Sequence, residues 1–210
     1  MTHHTHPFPN HPHPHVLGIT GGIGSGKSVV ARCLGIMGIP VYNCDDEAKR
    51  LNNTHPLIRQ ELCKLAGNHL YLPDGTLDKA ALAAYLFANA ENAARVNAIV
   101  HPIVMDDFIQ WTFRQHAPWV AIESAILHES GFAPLADKVI TVSAPEEVRI
   151  ARACQRDHAT ADAIRARMAH QMTDEEKALR ADFTLHNDGK RAILPQILDI
   201  LANLPCLSRK

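Results

Sequence analysis

The sequence predicts a three-layer α/β fold: a five-stranded parallel sheet between helices, carrying a helical insertion and a helical lid. Three observations predict it. Short apolar runs recur along the chain with helical periodicity between them, the order that builds a parallel sheet. A glycine-rich turn joins the first run directly to the first helix. After the second run, residues 47–117 show helical periodicity and no strand pattern, which reads as an insertion on the sheet.

The first run is His15-Val16-Leu17-Gly18-Ile19-Thr20, followed by the turn and then by 29–37, mainly apolar and predicted as a buried helix. Gly38-Ile39-Pro40 ends that helix. Val41-Tyr42-Asn43-Cys44 is a second strand running into Asp45-Asp46-Glu47. In the insertion, helices are predicted over 48–51, 56–65, 79–87 and 92–100, separated by Pro, Gly, Asn and Asp, with Asp74-Gly75 as a turn. His101, just before Pro102, reads as a residue that caps or pins a helix start. Trp119–Glu123 and 138–142 are the third and fourth strands. Ser143-Ala144-Pro145-Glu146 fits a capping box that opens a helix, and Thr173-Asp174-Glu175-Glu176 opens another by the same rule. Residues 182–186 form the fifth strand, and 193–204 the last amphipathic helix. The expected organisation is one domain over 16–204, with its core in 16–46, 118–151 and 173–204, the insertion in 47–117 and the lid in 152–172. The Pro- and His-rich segment 1–15 is expected to be disordered, because proline denies it a helix or an interior strand. Residues 205–210 are expected to be a tail.

Charge and cysteine content exclude several classes. Lys and Arg total 21 against 22 Asp and Glu, so the basic excess of a nucleic-acid binder is missing. Five cysteines, an odd number with no Cys-x-x-Cys pair, suggest neither a disulfide framework nor a zinc site. Reduced thiols in a cytoplasmic protein are the expectation. No apolar run is long enough for a membrane helix. His-rich tracts can chelate metals, but nothing rigid holds the ligands of 1–15 in a fixed geometry.

The chemistry is carried by Gly21-x-x-x-x-Gly26-Lys27-Ser28, which matches the P-loop pattern, with a strand before it and a helix after it. Such a loop turns consecutive backbone N–H groups towards phosphates, and Gly22, Ile23, Gly24, Ser25, Gly26 and Val29 are the expected nucleotide contacts beside Lys27 and Ser28. Lys27 is expected to reach the β- and γ-phosphates of a nucleoside triphosphate, and the Ser28 hydroxyl to ligate Mg²⁺. The fold is thus of P-loop NTPase type. Asn-Lys-x-Asp and Asp-x-x-Gly are absent, which argues against a GTPase switch. A small-molecule kinase and a catalytically silent nucleotide-binding module remain. For a kinase, Asp45 and Asp46 stand just past the second strand, at the end where open sheets bind ligands. Asp46 is read as the helix cap that such a position favours. Arg149, Arg152 and Arg156 share a helix face at i, i+3, i+7 and can offset charge on a transferring phosphoryl group. Arg167 is a further lid candidate.

The run from Gly18 to Ser28 resembles that of the dephospho-CoA kinases, which write it Gly-Leu-Thr-Gly-Gly-Ile-Gly-Ser-Gly-Lys-Ser. The resemblance spans 16–204. The family's Asp-Ala-Asp stands here as Asn43-Cys44-Asp45, which leaves position 43 a hydrogen-bonding role without the charge. Val96-Asn97-Ala98-Ile99-Val100-His101-Pro102 is similar to a third family motif. After the third strand only Leu127 and Glu129 are retained, and Glu123 is an acid near the Walker B position. Arg152-Ala153-Cys154-Gln155-Arg156-Asp157, Gln171, Ala181-Asp182 and Asn187-Asp188-Gly189 are similar to the lid and closing motifs. The resemblance implies ATP-dependent phosphorylation of the ribose 3′-hydroxyl of dephospho-CoA. Asp45, Lys27 and Arg152 would be catalytic, Arg152 and Arg156 would contact ATP, and Thr20, Asp45, His101 and Glu129 would face the acceptor. The helical insertion would bind that acceptor.

Overall fold

The computed structural model describes residues 13–205, so the tail readings for 1–12 and 206–210 lie outside the described residues. The described chain divides into two compact units, residues 13–42 with 112–205, and residues 43–111.

The first unit is built on the sheet. Strands β1 (His15–Thr20), β2 (Val41–Asn43), β3 (Trp119–Glu123), β4 (Lys138–Ser143) and β5 (Phe183–His186) lie in the order β2-β3-β1-β4-β5. β1 is parallel to β3 with Val16 opposite Val120, and parallel to β4 with Gly18 opposite Val139. β4 is parallel to β5 with Thr141 opposite Thr184. A sheet covered on both faces needs unbroken apolar strands, and all five residues of β3 are buried. Alternate residues Leu17, Ile19, Trp119, Ala121, Ile140, Val142 and Leu185 pack against helices α1 (Lys27–Ile36) and α9 (Ile193–Ala202). On the other face the backbone of Gly18 lies so close to Leu127 that an added Cβ would sit 2.8 Å from its Cδ2. The Trp119 indole N–H, buried with its ring, donates to Pro205 O at 3.0 Å, so the first residue of the expected tail is anchored. Helices α6 (Glu146–Asp157), α7 (Ala161–Met168) and α8 (Asp174–Arg180) complete this unit.

The second unit carries α2 (Cys44–Thr54), α3 (Pro56–Ala66), α4 (Lys79–Ala88) and most of α5 (Ala90–Phe113). Asp74 turns the chain as expected, accepting from Thr76 N at 2.9 Å.

Five expectations change. The first helix is amphipathic rather than buried: Val30, Ala31 and Leu34 are buried, while Ile36 is 83% exposed. Cys44 starts α2 instead of ending β2, because the Asn43 side chain accepts from Asp46 N (3.0 Å) and caps the helix. Asp46 is therefore not the cap; its carboxylate pairs with Lys49 at 2.8 Å on the surface. No helix boundary falls at His101 or Pro102: both lie inside α5, so His101 pins no helix start. An interior proline costs ~3 kcal/mol or more. Val96, Val100, Val104 and Phe108 form a buried stripe at a spacing of four along the same helix, and each such side chain contributes about 1.5–3 kcal/mol, so packing wins. Finally, Ser143 does not cap α6. It closes β4, and Pro145 stands at the N-cap with no side-chain bond. The Thr173 box forms as expected, with both reciprocal bonds to Glu176.

Candidate active site

β1 delivers the chain into the loop of residues 21–26 with Thr20 fully buried. The loop enters α1 through Gly26, whose φ of 97° lies in the left-handed region. A Cβ there would also lie 2.1 Å from Asn187 Nδ2, so only glycine fits. Gly24 has φ 76°, and a Cβ on it would lie 2.1 Å from the carbonyl oxygen of Arg149. The start of α6 and the turn after β5 thus wall the loop. Lys27 Nζ donates to Gly22 O at 3.2 Å and folds back over the loop. Ile23 N donates to Gln171 Oε1 at 3.2 Å, tying the loop to the segment after α7. Val29 follows on α1 and is 50% exposed. Glycine-rich backbone at a helix N-terminus is suited to phosphate.

Ser28 Oγ donates to Glu123 Oε1 at 3.4 Å, and Glu123 is buried at the end of β3. A hydroxyl beside a carboxylate is a pair of hard oxygens, and Mg²⁺ binds such pairs while keeping several waters. The residues therefore fit a magnesium ion. Thr20 Oγ1 and Ser25 Oγ are buried with no hydrogen-bond partner, an uncommon state for buried hydroxyls.

Beside the loop runs a line of charges. Arg149, 8% exposed, donates to Asp174 Oδ1 at 3.1 Å. Burial raises the Asp174 carboxyl and the Arg149 charge opposes that rise. Lys177 is fully buried, donates to Ala125 O at 2.6 Å and lies 3.4 Å from Glu129 Oε1. Burial lowers its pKa, and the Glu129 charge works against that. Glu129 also accepts from Met172 N at 2.8 Å, so this expected acceptor residue holds the end of the lid segment.

The three arginines expected on one face have different surroundings. Arg149 turns to the loop. Arg152 donates to Asn187 O at 3.1 Å. Arg156, exposed, pairs with Asp157 at 2.6 Å, and Arg167 reaches the same carboxylate at 2.6 Å. The Arg156 hydrogen bond holds the Asp157 carboxyl far below the usual carboxylate range, with Arg167 adding to it. A cavity of about 660 Å³ opens beside α6, lined by Ser143, Pro145, Arg149, Arg165, Asp174 and His186 among others. That is the size of a small-molecule site.

Asp45 and His101 belong to the second unit. Asp45 is exposed on the first turn of α2. His101 is half-buried on α5, and burial lowers its pKa, favouring the neutral ring. Arg50 of α2 donates to Asp107 of α5 at 2.7 Å, fixing the two helices to each other.

The dephospho-CoA kinase family model matches residues 15–192. The chain belongs to the dephospho-CoA kinase family. The dephospho-CoA kinase of Bacteroides fragilis is 48% identical over 189 residues, which is 90% of this chain and 92% of that protein. That of Porphyromonas gingivalis is 46% identical over 186 residues, 88% of this chain and 92% of that protein. A crystal structure of a Thermus thermophilus protein has TM-score 0.78 at 34% identity, covering 91% of this chain and 98% of that one. The fold is the α/β P-loop fold expected.

Within this dephospho-CoA kinase family member, sequence reasoning singled out the phosphate loop, Glu123 and Arg152. It did not find the buried part played by Asp174, Lys177 and Asn187. The spacing of Arg149 places it on the basic helix face, and its ion pair with Asp174 appears only in the fold. Lys177 follows two glutamates in a helix that looks solvated, and nothing local marks it as buried. No described helix is long and apolar enough to cross a membrane, and no cluster of three metal-ligating side chains occurs among the described residues.

Proposed function

We propose that this chain transfers the γ-phosphoryl group of ATP to the ribose 3′-hydroxyl of dephospho-CoA, giving coenzyme A and ADP. The observation that carries this reading is the complete phosphate loop in a chain of this family. Lys27 and the loop amides hold the phosphates, and Arg152 offsets charge on the moving group, with Arg156 a further ATP contact. Ser28, beside Glu123, would hold Mg²⁺, which when bound neutralises phosphate charge. Asp45 orients or deprotonates the acceptor hydroxyl, and Thr20, His101 and Glu129 complete the acceptor set. Positioning and electrostatics supply most of the rate, because phosphoryl transfer leaves the protein little covalent work. A reducing compartment, the cytoplasm, is the setting this reading implies, in keeping with Cys33, Cys44, Cys63 and Cys154 forming no disulfide. The test is ADP release from Mg·ATP with a panel of acceptors. Dephospho-CoA should stand out over nucleosides, and no turnover on any acceptor would leave a silent nucleotide-binding module.

Asp45 and its neighbours allow a sharper test. Asp45→Asn keeps size while removing the proton acceptor, so kcat should fall about 10²-fold or more with ATP affinity little changed. Asp46→Asn should cost under about tenfold, since it breaks only an exposed pair with Lys49. Asn43→Asp should be near neutral, because aspartate caps a helix about as well as asparagine. Steady-state constants for both substrates decide it: equal losses at 45 and 46 would remove Asp45 from the mechanism.

A further inference from the structure

The turn after β5 holds a side chain that the mechanism above leaves out. Asn187 is 9% exposed, and its polar groups face two parts of the machinery. Its backbone N–H donates to Ser143 O at 2.8 Å, fixing the residue at the end of β4. Its Nδ2 donates to Ser25 O, in the phosphate loop, at 2.8 Å. Its carbonyl oxygen accepts from Arg152 Nη1 at 3.1 Å, and its Oδ1 lies 3.5 Å from Nη2 of the same guanidinium.

The chemistry fixes which way the amide points. Turned over, Oδ1 would face the Ser25 carbonyl and Nδ2 the guanidinium, acceptor against acceptor and donor against donor. Aspartate could serve Arg152 but has no donor for Ser25 O. Leucine could serve neither. The bond to Ser25 also has a direct effect on the loop. In a planar trans peptide, C=O and N–H point opposite ways. Holding the Ser25 carbonyl on Asn187 therefore turns the Gly26 N–H away from Asn187. The same close approach leaves no room for a side chain at Gly26.

We infer that Asn187 is a positioning residue that couples the phosphate loop to Arg152. It sets the peptide between Ser25 and Gly26 so that the Gly26 N–H stays a phosphate donor, and it holds the guanidinium of Arg152 beside the same loop. This rests on the reading that the loop binds ATP, and not on which acceptor the enzyme uses.

The test measures Mg·ATP binding by calorimetry without acceptor, kcat and both KM values with dephospho-CoA, and thermal melting. The variants are Asn187→Ala, Asn187→Asp, Arg152→Ala and the double variant Asn187→Ala/Arg152→Ala. Asn187→Ala should weaken ATP binding about tenfold, the scale set by leaving a buried acceptor unpaired. Asn187→Asp should lose at least as much, although it is isosteric and keeps the oxygen facing Arg152. KM for ATP should rise while KM for dephospho-CoA holds. The double variant should lose less ATP affinity than the product of the two single losses. Variants that melt lower yet bind ATP as wild type would overturn the inference, leaving Asn187 a structural residue only. So would full activity in Asn187→Asp, or strict additivity with Arg152→Ala. If the wild type binds ATP but does not phosphorylate dephospho-CoA, the proposed acceptor is wrong and the binding measurements still decide the role of Asn187. If the wild type binds no ATP, the inference falls with the phosphate-loop reading.

Discussion

Lys27→Ala should lower turnover by about 10³-fold or more and leave the fold intact. On the proposed function the charge of Lys27 faces the negative charge that gathers in the transition state, and removing such a group costs several kcal/mol, with each decade worth about 1.36 kcal/mol. In the structure Nζ makes a 3.2 Å hydrogen bond to Gly22 O, a backbone contact at the rim of the loop rather than in the core. Melting temperature should therefore move little. The two readouts separate the outcomes. A variant keeping more than about a tenth of wild-type turnover has lost under about 1.4 kcal/mol, and the loop would then not be the phosphate site. A variant that loses activity by unfolding would show it in the melt.

Lys177→Met should destabilise the protein by ~3 kcal/mol or more, the scale for breaking a buried ion pair from one side. Methionine keeps the apolar stem but leaves Ala125 O and Glu129 facing a side chain without a charge. Adding Glu129→Gln to Lys177→Met should recover part of the loss, because it removes the charge left behind. The pH dependence has a defined sign. Burial holds the folded-state pKa of Lys177 below its ordinary 10.5. Below the lowered value the lysine is charged in both states, and the folded state carries the full desolvation cost. Between that value and 10.5 the unfolded chain binds more protons, so stability from this residue rises with pH across the window. Denaturant unfolding of wild type and variant, at neutral pH and in the alkaline window, measures it. A stability gap that is flat or shrinking across that window would show that the pKa of Lys177 is not lowered in the folded state.

The parts legible in the sequence are those whose cause is local. A buried parallel strand must be an apolar run, so β1 and β3 have the expected boundaries. The phosphate loop is eight consecutive residues with a strand and a helix at its ends. Thr173 and Glu176 cap a helix using groups three residues apart. What escaped has partners far along the chain. Asn187 meets Ser25 across 162 positions, and Lys177 meets Ala125 across 52. Ser143 satisfies the spacing rule for a cap, yet its backbone is taken by the sheet, and its carbonyl by Asn187. Pro102 is a strong local stop signal, and only the stripe of buried valines outweighs it.

The strand order has a consequence for synthesis. β1 lies in the middle of the sheet, yet its neighbours begin only at Trp119 and Lys138. With ~100 residues between His15 and Trp119, a ribosome adding 5–20 residues per second leaves β1 without its sheet partners for roughly 5–20 s. During that interval Val16, Leu17 and Ile19, each fully covered in the finished protein, have no sheet to join. The helices of residues 43–111 are translated first, and they have contacts of their own to make. The nascent chain thus carries an apolar central strand whose sheet partners do not yet exist, so the core of the sheet closes only after residues 119–143 have been made.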